Sequence, residues 1–191
     1  MCMQPPKSAL MNLKSKIAAS DVLKANILTD LPERQAERFG DKAALAAPDH
    51  ENRWRDISWR RYAADVRTAS LALAALGVRE SDNVATFSAN RPENLVTDFA
   101  CFRNRAVSVS IYATSSLEQL VYIINDARCE LLFVGNTTQY RIAREAQALC
   151  QSLKRIVALK KIEFDPNDST SMLWTDFMKL GETATEEIAA T

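Results

Sequence analysis

Glycine is scarce in this 191-residue chain: only Gly40, Gly77, Gly135 and Gly181 occur, each isolated from the others. A phosphate-binding loop needs glycines close together, because its backbone must approach the phosphates in conformations closed to other residues. The dinucleotide fingerprint, the P-loop and the G-x-S-x-G nucleophile elbow are therefore all excluded. Histidine is scarcer still. His50 stands alone in a turn-like stretch and reads as a solvated loop residue. With one histidine, neither a zinc cluster nor a cysteine–histidine pair can be assembled. The cysteines Cys2, Cys101, Cys129 and Cys150 are widely spaced with no CxxC pair. The last three lie in apolar surroundings and read as reduced core thiols.

Excess charge is also lacking. Lysine plus arginine total 24 and so do aspartate plus glutamate, so nothing in the overall balance recruits nucleic acid or an anionic membrane surface. No run of about 18 uncharged apolar residues exists, as a membrane-spanning helix would need, and Met1 to Leu10 has no long apolar stretch. A soluble, cytoplasmic protein is expected.

What is present is a core's worth of apolar residues, 47% of the chain, in a regular order of elements. The lysine-dotted lead to about Ala25 predicts a frayed helix or partial disorder. Asp30, Pro32 and Glu33 then line up as cap, first-turn proline and capping-box acid, and Gly40 follows Phe39 as a stop. A short helix over 31–39 follows. Ala43 to Ala47 and Asp56 to Ser58 flank a turn-rich stretch and predict a hairpin. Ser58 caps a long helix in which Trp59, Tyr62, Val66, Ala69, Leu73 and Leu76 recur at helical spacing, ended by Gly77.

Short apolar strands are predicted near 83–87, 107–111, 131–134 and 155–159, with helices between them. Capping boxes open the first two at Asn90 to Glu93 and Ser115 to Glu118. The third runs over about 138–152 behind Asn136. Parallel strands joined through helices require crossovers. The fold class is thus α/β, a wound parallel sheet with helices on both faces plus a small amino-terminal hairpin and helices. Residues 1–29 read as a lead, 30–181 as the α/β unit and 182–191 as a loose tail beyond Gly181.

Ligands of such sheets bind at the carboxyl edge of the strands. Here that edge carries small hydroxyl and amide residues, Ser88-Ala89-Asn90, Tyr112-Ala113-Thr114 and Gly135-Asn136-Thr137, most of them explained as helix caps. A receiver-type switch domain would place acidic residues there, and none is seen.

Several segments in order carry a likeness to a known family: Ile57-Ser58-Trp59 with Tyr62; Leu76-Gly77-Val78 with Asp82-Asn83-Val84-Ala85; and Ser88-Ala89-Asn90-Arg91-Pro92-Glu93. Val107 to Ser116, Leu120 to Asp126 and Leu131 to Gly135 continue it. Over about 31–180 the chain resembles the adenylate-forming acyl-CoA synthetases, and among them the long-chain fatty acid CoA ligases. Two positions depart from the pattern. Arg105 stands where glycine is common and Ser110 where proline is, which bears on loop geometry.

The resemblance implies an ATP-dependent, AMP-forming acid–thiol ligase that forms an acyl-adenylate and then a thioester, with ATP, magnesium and CoA as cofactors of the full-length enzyme. It also implies that the phosphate loop, the nucleotide-binding segments, the magnesium-binding glutamate and the adenylation lysine lie further along than these residues reach. No catalytic, cofactor-binding or metal-binding residue is therefore assigned, and this polypeptide alone is expected to be inactive. Arg141 and Arg144, three apart on one helix face, are similar in placement to arginines that touch the CoA phosphate in short-chain relatives. The plainer account is a solvated face with Glu145 as partner. Expected partners are the remainder of the synthetase, a fatty acid and, through an exposed apolar face, a second copy. The alternative is a stand-alone α/β module that binds a small ligand at its carboxyl edge.

Overall fold

The computed structural model describes residues 28–49 and 51–189, with side chains as far as residue 184. The expected lead helix, Cys2 and His50 lie outside the described residues. A 3-10 turn, Leu28–Asp30, enters helix α1, Leu31–Phe39. Gly40 ends it at φ 55°, the left-handed region open to glycine. Asp30 does not cap it as expected. Its side chain makes no cap hydrogen bond, because the preceding turn already holds Asp30 in helical geometry.

Strands β1, Ala43–Pro48, and β2, Trp54–Ser58, form the antiparallel hairpin. Helix α2, Trp59–Ala75, follows, and the Ser58 hydroxyl accepts from the Arg61 N–H at 3.2 Å. Its predicted apolar stripe is its buried face: Tyr62, Val66, Ala69 and Leu73 are nearly inaccessible. The helix ends where Gly77 turns at φ 90° and the Val78 N–H reaches back to the Leu73 carbonyl.

The main sheet follows through β3 (Asn83–Phe87), α3 (Pro92–Arg103), β4 (Val107–Ile111), α4 (Leu117–Ala127), β5 (Leu131–Val134), α5 (Thr137–Leu149), β6 (Arg155–Ala158), β7 (Ser171–Leu173) and α6 (Trp174–Ala189). Its five strands are all parallel, in the order β4-β3-β5-β6-β7. Helices cover both faces. Val84, Leu131, Phe133 and Val157 pack with α2, α3 and α6, while Ala85, Phe87, Leu132 and Ile156 pack with α4 and α5. Every residue of β5, at the centre, is buried. A continuous apolar run is what burial on two faces requires.

The expected cap of α5 is present: the Asn136 side chain accepts from the Gln139 N–H. At α4 the capping box forms one residue later than expected, Ser116 with Gln119 in place of Ser115 with Glu118. At α3 no such box forms: the cap position is Arg91, with no side-chain cap bond, and Pro92 starts the helix without an N–H to satisfy. Both departures from the family pattern keep the backbone course. Arg105 itself adopts φ 56°, and Ser110 stays in register opposite Thr86.

Two features differ from expectation after β6, an added strand and the reach of the last helix. The chain forms a fifth strand, β7, paired parallel to β6. The connection to it has no helix and is held instead by Asp168. Helix α6 does not stop at Gly181 but continues to Ala189. Gly181 is buried, and a Cβ there would run into the Thr68 carbonyl of α2. It is a packing glycine.

Candidate functional site

In a sheet of this order the chain leaves β3 toward one edge to reach β4 and leaves β5 toward the other to reach β6. These two connections part between β3 and β5, leaving a crevice outside the carboxyl ends of the strands. Three strand exits meet there, and one buried side chain joins two of them. Gln139, 3% exposed, accepts from the Gly135 N–H at 3.1 Å and donates to the Ala113 carbonyl at 3.0 Å. Arg91, after β3, supplies the third link. It donates to the Gly135 carbonyl at 3.0 Å and pairs with Glu93 at 2.9 Å. Gly135 has no room for a side chain, since a Cβ would meet Ser88 and Gln139.

Above this edge stands the β1–β2 hairpin, and between them opens a cleft of about 1620 Å3. Trp54 (73% exposed) and Tyr112 (86% exposed) are among its lining residues. The hairpin is stiffened by Asp49, whose carboxylate accepts from the Glu51 and Arg53 backbone N–H groups and from Arg55 at 3.0 Å. Those bonds, the Arg53 N–H foremost, hold its carboxyl below the usual range.

The two arginines singled out in the sequence have different surroundings. Arg141 is exposed on α5. Arg144 is engaged, but with Asp168 at 3.3 Å instead of Glu145. Asp168 has a fully buried side chain and also accepts from the Tyr140 hydroxyl at 2.7 Å and from Thr170 and Ser171. Burial alone would raise its carboxyl, but the surrounding donors outweigh burial and hold it well below the ordinary range. This cluster fixes the β6–β7 connection onto α5. No periodicity marks Gln139, Arg91 or Asp168 in the sequence; Arg91 and Gln139 follow strand exits, and Asp168 precedes the start of β7.

The remaining reactive groups are inert. Burial pushes the Cys101 thiol up to about 12 and Cys129 up to about 11, and raises Cys150 as well. Thiolate is the reactive form, so these are core thiols as expected.

Residues 32–190 match the family described as AMP-binding enzyme. The chain belongs to that family. Among curated members, the long-chain-fatty-acid–CoA ligase FadD15 of Mycobacterium bovis is 33% identical over 106 residues, which cover 56% of this chain and 18% of the relative. The long-chain-fatty-acid–CoA ligase ACSBG2 of Homo sapiens is 30% identical over 145 residues, covering 75% and 21%. This family member thus spans about a fifth of the length of these relatives. The crystal structure of the anthranilate CoA ligase AuaEII in complex with anthranoyl-AMP matches with a TM-score of 0.69 over 79% of this chain and 27% of its own, at 22% identity. That likeness extends to the fold: a parallel sheet flanked by helices, with a small hairpin.

Proposed function

We propose that this chain is the amino-terminal part of an ATP-dependent, AMP-forming long-chain fatty acid CoA ligase, and that it performs no ligation alone. The observation that carries the second half is the internal use of the crevice's polar groups. The Gly135 N–H and carbonyl, the Arg91 guanidinium and the Gln139 amide, which could hold an anion or adenylate, are bonded to one another. Stabilising a transferring phosphoryl group takes a metal, cations or aimed backbone donors. Among the described residues no group of three or more His, Cys, Asp or Glu side chains is arranged to hold a metal ion. These residues do not fit magnesium–ATP. Nor do Arg141 and Arg144 form a phosphate clamp, since Arg144 is spent on Asp168.

ATP, magnesium, CoA and the fatty acid then belong to the longer ligase, whose remaining polypeptide would be this unit's partner. A cytoplasmic location is part of the same proposal; no described helix is long and apolar enough to cross a membrane. A stand-alone ligand-binding module would present a polar surface all round. The exposure of Trp54, Tyr112, Tyr122 and Leu149, each at least 60%, favours a unit that packs against more polypeptide. The test is calorimetry with magnesium–ATP and with CoA, alongside pyrophosphate release from a mixed fatty acid pool. Silence throughout is expected. Pyrophosphate release or ATP binding by the chain would overturn the proposal.

A further inference from the structure

The cleft floor holds a group of polar side chains that the crevice network leaves unused. Thr86 is 4% exposed, lines the cleft, and its hydroxyl has no hydrogen-bond partner. A buried hydroxyl without a partner is costly, and where one is retained it calls for an explanation. Ser110 lies beside Thr86 in the β3–β4 register. Two residues back on the same face of β4, Ser108 donates to Asp98 of α3 at 2.5 Å. One turn earlier on α3, Asn94 has a buried side-chain oxygen that is also unpartnered.

The charges around the cleft are distributed in a telling way. Three of its carboxylates have arginine partners: Asp49 with Arg55, Asp65 with Arg61, and Glu93 with Arg91. Asp98 lines the same cleft and accepts from the Ser108 hydroxyl, but forms no ion pair among the described residues; Lys160, on the same lining, is not within ion-pair distance of it. The floor therefore offers one carboxylate without an ion pair, an amide oxygen and two hydroxyls that can each accept. Its complement is a cationic group rich in N–H donors. Around it Trp54 and Tyr112 are open to apolar or stacking contact.

We propose that this recess receives an arginine or lysine side chain, flanked by apolar residues, from the polypeptide that continues the ligase. The assignment rests on the reading of the chain as part of a longer enzyme, and the relatives, of which the matched stretches cover only 18% and 21%, supply the occupant in their remaining length. Thr86, Ser110 and Asp98 form the polar floor, and the aromatic residues take the flanking side chains.

The test is amide NMR of the chain titrated with acetyl-Leu-Arg-Leu-amide, acetyl-Leu-Gln-Leu-amide and agmatine. The arginine peptide should shift Thr86, Asp98, Ser110 and Trp54, and bind more tightly than either other probe. Asp98→Asn, which keeps an oxygen for Ser108, should weaken it by about tenfold or more, the scale of one lost charged hydrogen bond. Thr86→Val should weaken it too while raising the melting temperature of the free chain by about 2–4 °C, since an unpartnered hydroxyl is removed from the interior. No shift, equal shifts with the glutamine peptide, or full affinity in both variants would overturn the proposal. Agmatine binding as tightly as the arginine peptide would make this a small-amine site and overturn its assignment to polypeptide. Ligase activity in the chain would sink the parent reading while leaving these titrations unchanged, so the two failures are distinguishable.

Discussion

Gly181→Ala should destabilise this chain, although helix propensity alone argues the opposite. In a helix interior alanine is favoured over glycine by about 0.8–1.0 kcal/mol. Gly181 lies inside α6, so a reading from propensity expects stabilisation. The packing reverses the sign. A Cβ at this position would collide with the Thr68 carbonyl oxygen and lie 2.9 Å from its carbonyl carbon and 3.0 Å from the Thr68 methyl. Carbon atoms rest at about 3.5–4.0 Å, so α2 and α6 must separate. Two of the three atoms are backbone and cannot rotate away, which puts the cost at the upper end of the ~1–3 kcal/mol typical of overpacking. Subtracting the propensity gain leaves about 2 kcal/mol of net loss, or roughly 4–8 °C in melting temperature for a chain of this size. Circular dichroism melts of the wild type and variant measure it directly. Thr68→Ser in the same background should recover only a minor part, because it removes the methyl and not the carbonyl. A variant that melts at or above the wild type would refute the packing argument.

Asp168→Asn should lose about 2–3 kcal/mol at neutral pH, because an amide replaces a carboxylate that accepts several bonds, including those of Arg144 and Tyr140. The folded carboxyl is held below its ordinary value of 3.8. The stability it contributes is thus fully present above that value and is lost as pH falls through the lower folded value. Urea midpoints of wild type and variant should differ at pH 7, and the gap should narrow progressively as pH falls below 3.8; a constant gap would contradict the assignment. Gln139→Ala should cost about 1–3 kcal/mol by leaving the Ala113 carbonyl without its donor. The urea midpoint should fall with an unchanged slope, and an unchanged midpoint would show that the strand exits are held by other contacts.

Most of the fold was legible because local signals and tertiary demands coincide. The stripe from Tyr62 to Leu73, the caps Ser58 and Asn136, and the left-handed stops Gly40 and Gly77 each satisfy a local backbone need that the packed structure also uses. Where a position serves only a distant neighbour, local reading fails. Gly181 looks like a helix stop, yet it is a point of close contact with Thr68 of α2. Strand β7 has three residues and no alternation to display. It exists because Ile156, Val157 and Ala158 of β6 offer it a ladder, and because Asp168 ties down the chain just before it.

The site was harder to read for the same reason, in a sharper form. Hydroxyl and amide residues at the carboxyl edge read mainly as caps in sequence, and of these Asn136 is a cap while Asn90 is not. Gln139 lies one turn inside α5, where nothing local distinguishes it from a solvated helix residue. Only the closure of β5 between β3 and β6 buries it and turns its amide toward Gly135 and Ala113. Thr86 is the opposite case. A β-branched residue in a buried strand needs no explanation in sequence, and its chemistry emerges only when its neighbours fail to supply a partner. The polar groups of this sheet edge therefore divide by their bonding. Those bonded to one another hold the strand exits in place, and those left unbonded, with Asp98 beside them and without an ion pair, mark where further polypeptide would be received.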